Sequence, residues 1–114
     1  MEVSFQGIGV WAATFLGGDL QEGQAVKVSA NGTVSACGAG DDICGVVVKA
    51  GQETCAVQLG GMVTVPYSGT TPALGFTDLC GDGSGGVKAA EEGGGRSLLV
   101  VAVDTEEKTV TIKL

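Results

Sequence analysis

The stretch from Thr54 to Tyr67, TCAVQLGGMVTVPY, constrains the fold of this chain more than any other. Its odd positions are Cys55, Val57, Leu59, Gly61, Val63, Val65 and Tyr67; its even positions are Thr54, Ala56, Gln58, Gly60, Met62, Thr64 and Pro66. Apolar residues at a period of two put one face of an extended chain into a core and leave the other to solvent. Gly60-Gly61 suggests a hairpin turn. A two-residue turn, however, would set Gln58 against Val63 and Leu59 against Met62, mixing polar and apolar residues on a shared face. A strand that continues through the glycines keeps every odd residue inside, and glycine within a strand marks a bend or bulge. The spacing therefore predicts one long kinked strand onto which the others pair.

A chain of 114 residues corresponds to one domain. It can bury about two thirds of its unfolded surface without disulfide or metal staples. Val-rich runs alternate with turns drawn from 21 Gly, and no long helical period appears, so the expected fold is all-β, a sandwich or barrel built of hairpins. Aromatic residues make up only 4% of the chain, which predicts an aliphatic core.

Charge and residue types exclude several functions. The net charge is −7, there is no His, and the six Lys and Arg are scattered. Binding to a phosphate backbone needs a basic stripe, so direct nucleic-acid binding is not expected. The opening MEVSFQGIGVWAATFL has no basic region and is too interrupted by glycine for a membrane span, so a cytosolic start without a secretion signal is expected. Cys37, Cys44, Cys55 and Cys80 lack the paired C-x-x-C spacing of zinc sites; they are expected as free thiols, three of them at strand-like positions where Cys acts as a small hydrophobe. Without imidazole, neither a usual general base nor an activated Cys nucleophile can be assembled. The acidic pairs Asp41-Asp42, Glu91-Glu92 and Glu106-Glu107 sit in turn-like segments. No catalytic residue, cofactor site or metal site is expected, and the chain is not read as an enzyme.

Taken in order, residues 1–18 form an N-terminal arm or first strand, and 19–114 a single β domain. Phe5, Trp11 and Phe15 share parity in the first segment. They pack on the core if it is a strand, or anchor on a partner if it is an arm. In 19–37, a three-residue loop at Ala30-Asn31-Gly32 pairs Val28 with Val34, Lys27 with Ser35 and Val26 with Ala36, separating the faces and placing Gly32 in a left-handed bulge position. Asn31-Gly32-Thr33 spells a glycosylation acceptor, but turn formation explains it. Residues 43–48, ICGVVV, are apolar on both parities, so both faces should be covered. Cys44, Val46 and Val48 are the candidates for a subunit interface. Residues 43–59 form a further hairpin.

A short strand is expected around Gly75–Cys80. Gly81 to Gly86, GDGSGG, matches G-x-G-x-x-G, but no helix can follow it and Asp82 puts a negative charge inside the loop, so it reads as a plain turn. Calcium-loop spacing from Asp78 fails at Ala89. The closing segment SLLVVAVDTEEKTVTIKL pairs Val103 with Val110, Val101 with Ile112 and Leu99 with Leu114 around a Thr105–Lys108 loop, with Thr109, Thr111 and Lys113 facing away. Loss of the last few residues is expected to destabilise this strand.

The order of these pieces resembles a known family. FQGIG near the start leads to E-G-x-x-V, a C-G-V strand at 44–46, GQETCAVQLGGMVTVP at 51–66 and VDTEEKTVTIKL at 103–114. This is similar to small tailed-phage capsid decoration (cement) proteins, carried over most of the chain by short β-turn patterns; the first 20 residues fit least well. The resemblance implies a compact β-barrel or β-clip-like domain that trimerises on the outside of the expanded head. There it would bridge major capsid subunits, with no catalytic residue. It implies assembly in the host cytoplasm and residence on the virion surface. A trimer would carry about −21, three times −7, which suits an outer surface away from DNA. The alternative is a small β-clip or barrel module that binds a small ligand or partner domain in a bacterial cell, for which a deep pocket with convergent polar groups would be the sign.

Overall fold

In the computed structural model, which describes residues 9–114, the Thr54–Tyr67 stretch runs on without folding back. It is nonetheless two strands, β5 (Thr54–Gly60) and β6 (Met62–Ser68), which do not pair with each other. The break is Gly61, at φ +86°, where a Cβ would also stand 2.9 Å from the Gly9 carbonyl oxygen and the Val10 Cα. An L side chain is disfavoured there twice over, by conformation and by space. The expected kink is therefore a switch between two sheets. The odd positions Cys55, Val57, Val65 and Tyr67 are buried as expected.

Each sheet closes on itself. The first contains β1 (Trp11–Leu16), β2 (Ala25–Ala30), β3 (Thr33–Ala36), β4 (Gly45–Ala50) and β5, in the order β1-β3-β2-β4-β5. The second contains β6, β7 (Gly75–Gly81), β8 (Val87–Ala89), β9 (Arg96–Asp104) and β10 (Thr109–Lys113), in the order β10-β6-β8-β7-β9. The fold is all-β and barrel-like, as composition predicted. Segment 11–16 is an integral strand of the first barrel, not a separate arm; the rest of 1–8, with Phe5, lies outside the described residues. The short strand β8 was not foreseen.

The two barrels share one connectivity. In each, the first strand runs parallel to the third and antiparallel to the fifth, the second pairs with the third and fourth, and the fourth with the fifth. Each also has a bulge at the same place on its fourth strand. Val47 opposes Val57 and Lys49 opposes Ala56, leaving Val48 as the extra residue; Val100 opposes Ile112 and Ala102 opposes Thr111, leaving Val101. Such bulges accentuate twist and help a small sheet close. Equating Val48 with Val101 brings the inward row Val47–Val57–Ala13 onto Val100–Ile112–Val63. The chain is a structural tandem repeat with Gly61 at the joint.

The hairpin registers follow the face-separation argument closely. Val26–Ala36, Lys27–Ser35 and Val28–Val34 pair as expected and Gly32 has φ +61°, but the ladder resumes at Ala30–Thr33, so the bulge residue is Ser29. In the last hairpin Val103–Val110 and the 105–108 loop are as expected. The bulge at Val101 then shifts the register by one, so Ile112 faces Val100 and Lys113 faces Leu99, in place of the expected Val101–Ile112 and Leu99–Leu114 pairs. The Leu114 N–H instead donates to the Gly61 carbonyl at 2.9 Å. Thr111, though on the outer face, is only 8% exposed and shares a 2.8 Å hydroxyl contact with Thr64.

Burial explains why segment 43–48 is apolar on both parities. Val47 lies with Val26, Val34, Cys55 and Val57 inside the first barrel. Val46, one residue earlier, points outward and joins the core of the second barrel with Leu98, Val100 and Ile112. Its second face is thus covered by the other half of the same chain. Val48, expelled by the bulge, is 43% exposed. Val46→Ala is expected to cost about 2 kcal/mol in chemical denaturation, the value of two buried carbons plus a residual cavity. Val48→Ala should change stability by less than about 0.5 kcal/mol.

Candidate functional site

The residues singled out from sequence do not converge. Trp11 begins β1 and lies flat across β5: a Cβ on Gly60 would collide with its indole, yet the residue is 59% exposed. Phe15 is half-buried against the first core. Cys44 is half-buried just before β4, Val46 is 1% exposed, and only Val48 reaches the surface. Equal parity therefore does not make Cys44, Val46 and Val48 one surface, because β4 begins after Cys44 and the bulge displaces Val48. Val46 serves the chain's own core.

The cysteines are free thiols, with Cys37, Cys55 and Cys80 buried. Only Cys55 and Cys80 lie in strands; Cys37 and Cys44 flank the 38–42 loop, one fewer strand position than expected. Burial pushes the Cys37 thiol up to about 11, aided by the negative charge of Asp41, and burial also raises Cys44 and Cys55. A thiol in that state carries little thiolate at neutral pH and is a poor nucleophile. Among the described residues, no group of three His, Cys, Asp or Glu side chains is placed to hold a metal ion.

The glycine-rich loop after β7 is organised by its own acid. One oxygen of the Asp82 carboxylate accepts from the backbone N–H groups of Ser84 at 2.7 Å and Gly86 at 3.1 Å; the other accepts from the Ser68 hydroxyl at 2.7 Å. The amides that a phosphate would need are already occupied by a fixed negative charge, so the G-x-G-x-x-G match is a carboxylate-centred turn. Asp41 does similar work in the 38–42 loop, accepting from Gly38 N–H at 2.8 Å and from the Lys27 ammonium at 2.7 Å.

Among the described residues, several shallow clefts open on the surface. One of about 440 Å³ is lined by Ala39, Gly40, Cys80, Lys88, Glu91 and Glu92; another of about 410 Å³ lies between Trp11, Leu59, Met62, Lys113 and Leu114. Both are open depressions and neither gathers convergent polar groups around an enclosed space. The surface also carries exposed apolar side chains, above all Phe76 at 78% and Leu74 at 69% on and before β7, with Trp11, Val28 and Leu16 between 55% and 59%. Sequence reasoning missed Phe76 and Leu74; their segment reads as turn-rich, and an isolated Phe there carries no periodic signal. Exposed large apolar groups of this kind mark interaction surfaces. No family model, curated protein or solved structure matches the chain.

Two outcomes follow from the thiols and the Lys27–Asp41 pair. Alkylation of native protein at mildly alkaline pH should leave Cys37, Cys55 and Cys80 unmodified by mass spectrometry, while urea-unfolded protein takes label at all four; rapid native labelling of Cys37 would contradict the burial argument. The hydrogen bond from Lys27 holds the Asp41 carboxyl below its usual range, reinforced by Gly38, and the same bond raises Lys27. A depressed carboxylate stabilises the fold above its unfolded pKa and loses that contribution as pH falls through its native value. A raised ammonium stabilises below its unfolded pKa and loses it as pH rises through its native value. The stability difference between wild type and Asp41→Asn, small for so exposed a pair, should therefore be flat across neutral pH and shrink at both the acid and the strongly alkaline end. Urea midpoints across pH measure it.

Proposed function

We propose that this chain is a structural virion protein that decorates the outside of a tailed-phage head, contacting the major capsid protein and stiffening the shell. The observation that carries the reading is the block GQETCAVQLGGMVTVP at 51–66, which is the longest of the patterns shared with decoration proteins and is also the segment that joins the two barrels. An all-β body without a gathered catalytic group among the described residues fits a part that works by contact. The charge of −7 suits an outer surface facing away from packaged DNA. In this reading the protein assembles in the host cytoplasm, self-associates as the family's trimers do, and uses no cofactor. Among the described residues of the N-terminal stretch, Trp11, held flat on Gly60 but largely exposed, is best placed to anchor on the shell. The ligand-module alternative needs an enclosed polar pocket, and no specific observation favours it.

Purified protein mixed with expanded, undecorated heads should co-sediment to saturation at a fixed number of copies per shell, and Trp11→Ala should weaken that binding by about tenfold, the effect of losing one aromatic anchor. Failure to co-sediment at any protein concentration and at both low and moderate salt would overturn the reading.

A further inference from the structure

The tandem repeat makes the contact between the two barrels informative, because each barrel also carries the equivalent of the surface that the other uses. Across the outside of the first barrel runs the row Ala25–Val46–Gln58–Ala12, on its second, fourth, fifth and first strands. With the bulges at Val48 and Val101 as anchor, the equivalent row of the second barrel is Phe76–Leu99–Lys113–Met62. The first row is covered over its first three members, with Ala25 0%, Val46 1% and Gln58 5% exposed, and opens to solvent at Ala12. Its equivalent is more open, with Phe76 78% exposed, Lys113 exposed, and Leu99 and Met62 half-buried.

What covers Ala25 and Val46 is the end of the second barrel at the β7–β8 turn, while Gln58 is turned to the Gly60 and Met62 carbonyls at the joint. The Gly85 carbonyl there accepts from Ala25 N–H at 2.8 Å, and Gly81 exchanges backbone bonds with Gly40 and Asp41. Leu79 and Val65 line that end at 0% and 1% exposure, in one core with Ala25 and Val46. The equivalent end of the first barrel lies at the β2–β3 turn. The residue equated with Leu79, three places after the row on the second strand, is Val28, and it is 58% exposed. The residue equated with Val65 through the first-to-fifth strand ladder is Phe15, which is only half-buried. The chain therefore contains one completed row-on-end contact and both unused halves of another, a row with Phe76 and Lys113 exposed beside half-buried Leu99 and Met62, and an end with Val28 exposed beside half-buried Phe15.

We propose that the open row around Phe76 and Leu99 docks on the β2–β3 end, around Val28 and Phe15, of a second copy of this chain. The contact repeats between molecules the geometry that joins the barrels within one. Such a contact is heterologous: different patches meet, so copies add head to tail and either close a ring or extend. The occupant is a copy because the surface seated on the equivalent row is itself a copy of this barrel unit. Each copy carries −7, so association is opposed at low salt and strengthens as salt screens the repulsion. The inference does not depend on the decoration reading.

Sedimentation velocity of the full chain over a concentration series tests it. Wild type should associate, more strongly at moderate than at low salt. Phe76→Glu and Val28→Glu, both at exposed positions and so compatible with folding, should each weaken association by at least about tenfold. Circular dichroism checks that both remain folded; should either unfold, Phe76→Ser and Val28→Ser replace them. The decisive mixture is Phe76→Glu with Val28→Glu: the first keeps an intact end and the second an intact row, so together they should form a 1:1 dimer that grows no further. Wild type that stays monomeric up to its solubility limit overturns the proposal. So does a Val28→Glu variant that self-associates like wild type, the result expected if Phe76 meets its own copy across a two-fold axis or if another protein is its partner.

Discussion

The structure depends on one crossing, where the chain leaves the first barrel and enters the second. At that point the ladder hydrogen bonds of β5 stop and those of β6 have not begun, so backbone groups at the joint need other partners. Gln58 supplies them: its side-chain amide donates to the carbonyls of Gly60 at 3.0 Å and Met62 at 2.9 Å, one on each side of Gly61, and the Gly61 carbonyl itself is met by Leu114 N–H. Buried carbonyls left without donors cost on the order of 1–3 kcal/mol each, so a polar side chain at 5% exposure is consistent with a well-formed core here. Through this joint the last strand of the second barrel is tied to the last strand of the first.

Given that joint, the two barrels solve one problem for each other. A five-stranded closed sheet of this length encloses few side chains, and among the described residues the first core holds Val26, Val34, Val47, Cys55 and Val57 as its buried members. A body so small is marginal by itself. Setting the outer row of one barrel on the end of the other adds Ala25, Cys37, Ile43 and Val46 to the second core and gives the pair a common interior. The 38–42 loop, braced by the Lys27–Asp41 pair and by Gly81, closes the seam.

The same arrangement shapes what the molecule offers outside. Carboxylates that might have formed a site are used internally: Asp82 and Asp104 accept from backbone amides of their own turns, and Asp41 from Gly38 and Lys27. What remains is acidic surface with apolar islands at the two ends of the repeat, a distribution suited to recognition by contact. The decoration reading and the self-docking surface both draw on it, one through Trp11 and the other through Phe76 and Val28.

Local chemistry was legible in the residues. The period-two pattern with Val in alternate positions made the chain all-β, face separation selected the register of the β2–β3 hairpin and rejected a hairpin at Gly60-Gly61, and the acid inside GDGSGG marked a turn instead of a phosphate cradle. These are short-range effects, decided by which side chains can share a face. Position in space decided the rest. Both bulges sit in apolar runs, ICGVVV at 43–48 and LLVVAV at 98–103, where moving by one residue leaves the pattern nearly unchanged, so nothing local locates them. The repeat was hidden for a related reason: among the equated strand positions only Thr14 and Thr64, Val47 and Val100, Val48 and Val101, and Thr54 and Thr109 are identical, and several of the others are buried in one copy and open in the other. Ala25 and Phe76, or Gln58 and Lys113, differ because tertiary packing gave each member of the pair a different environment, and that environment belongs to no single stretch of chain.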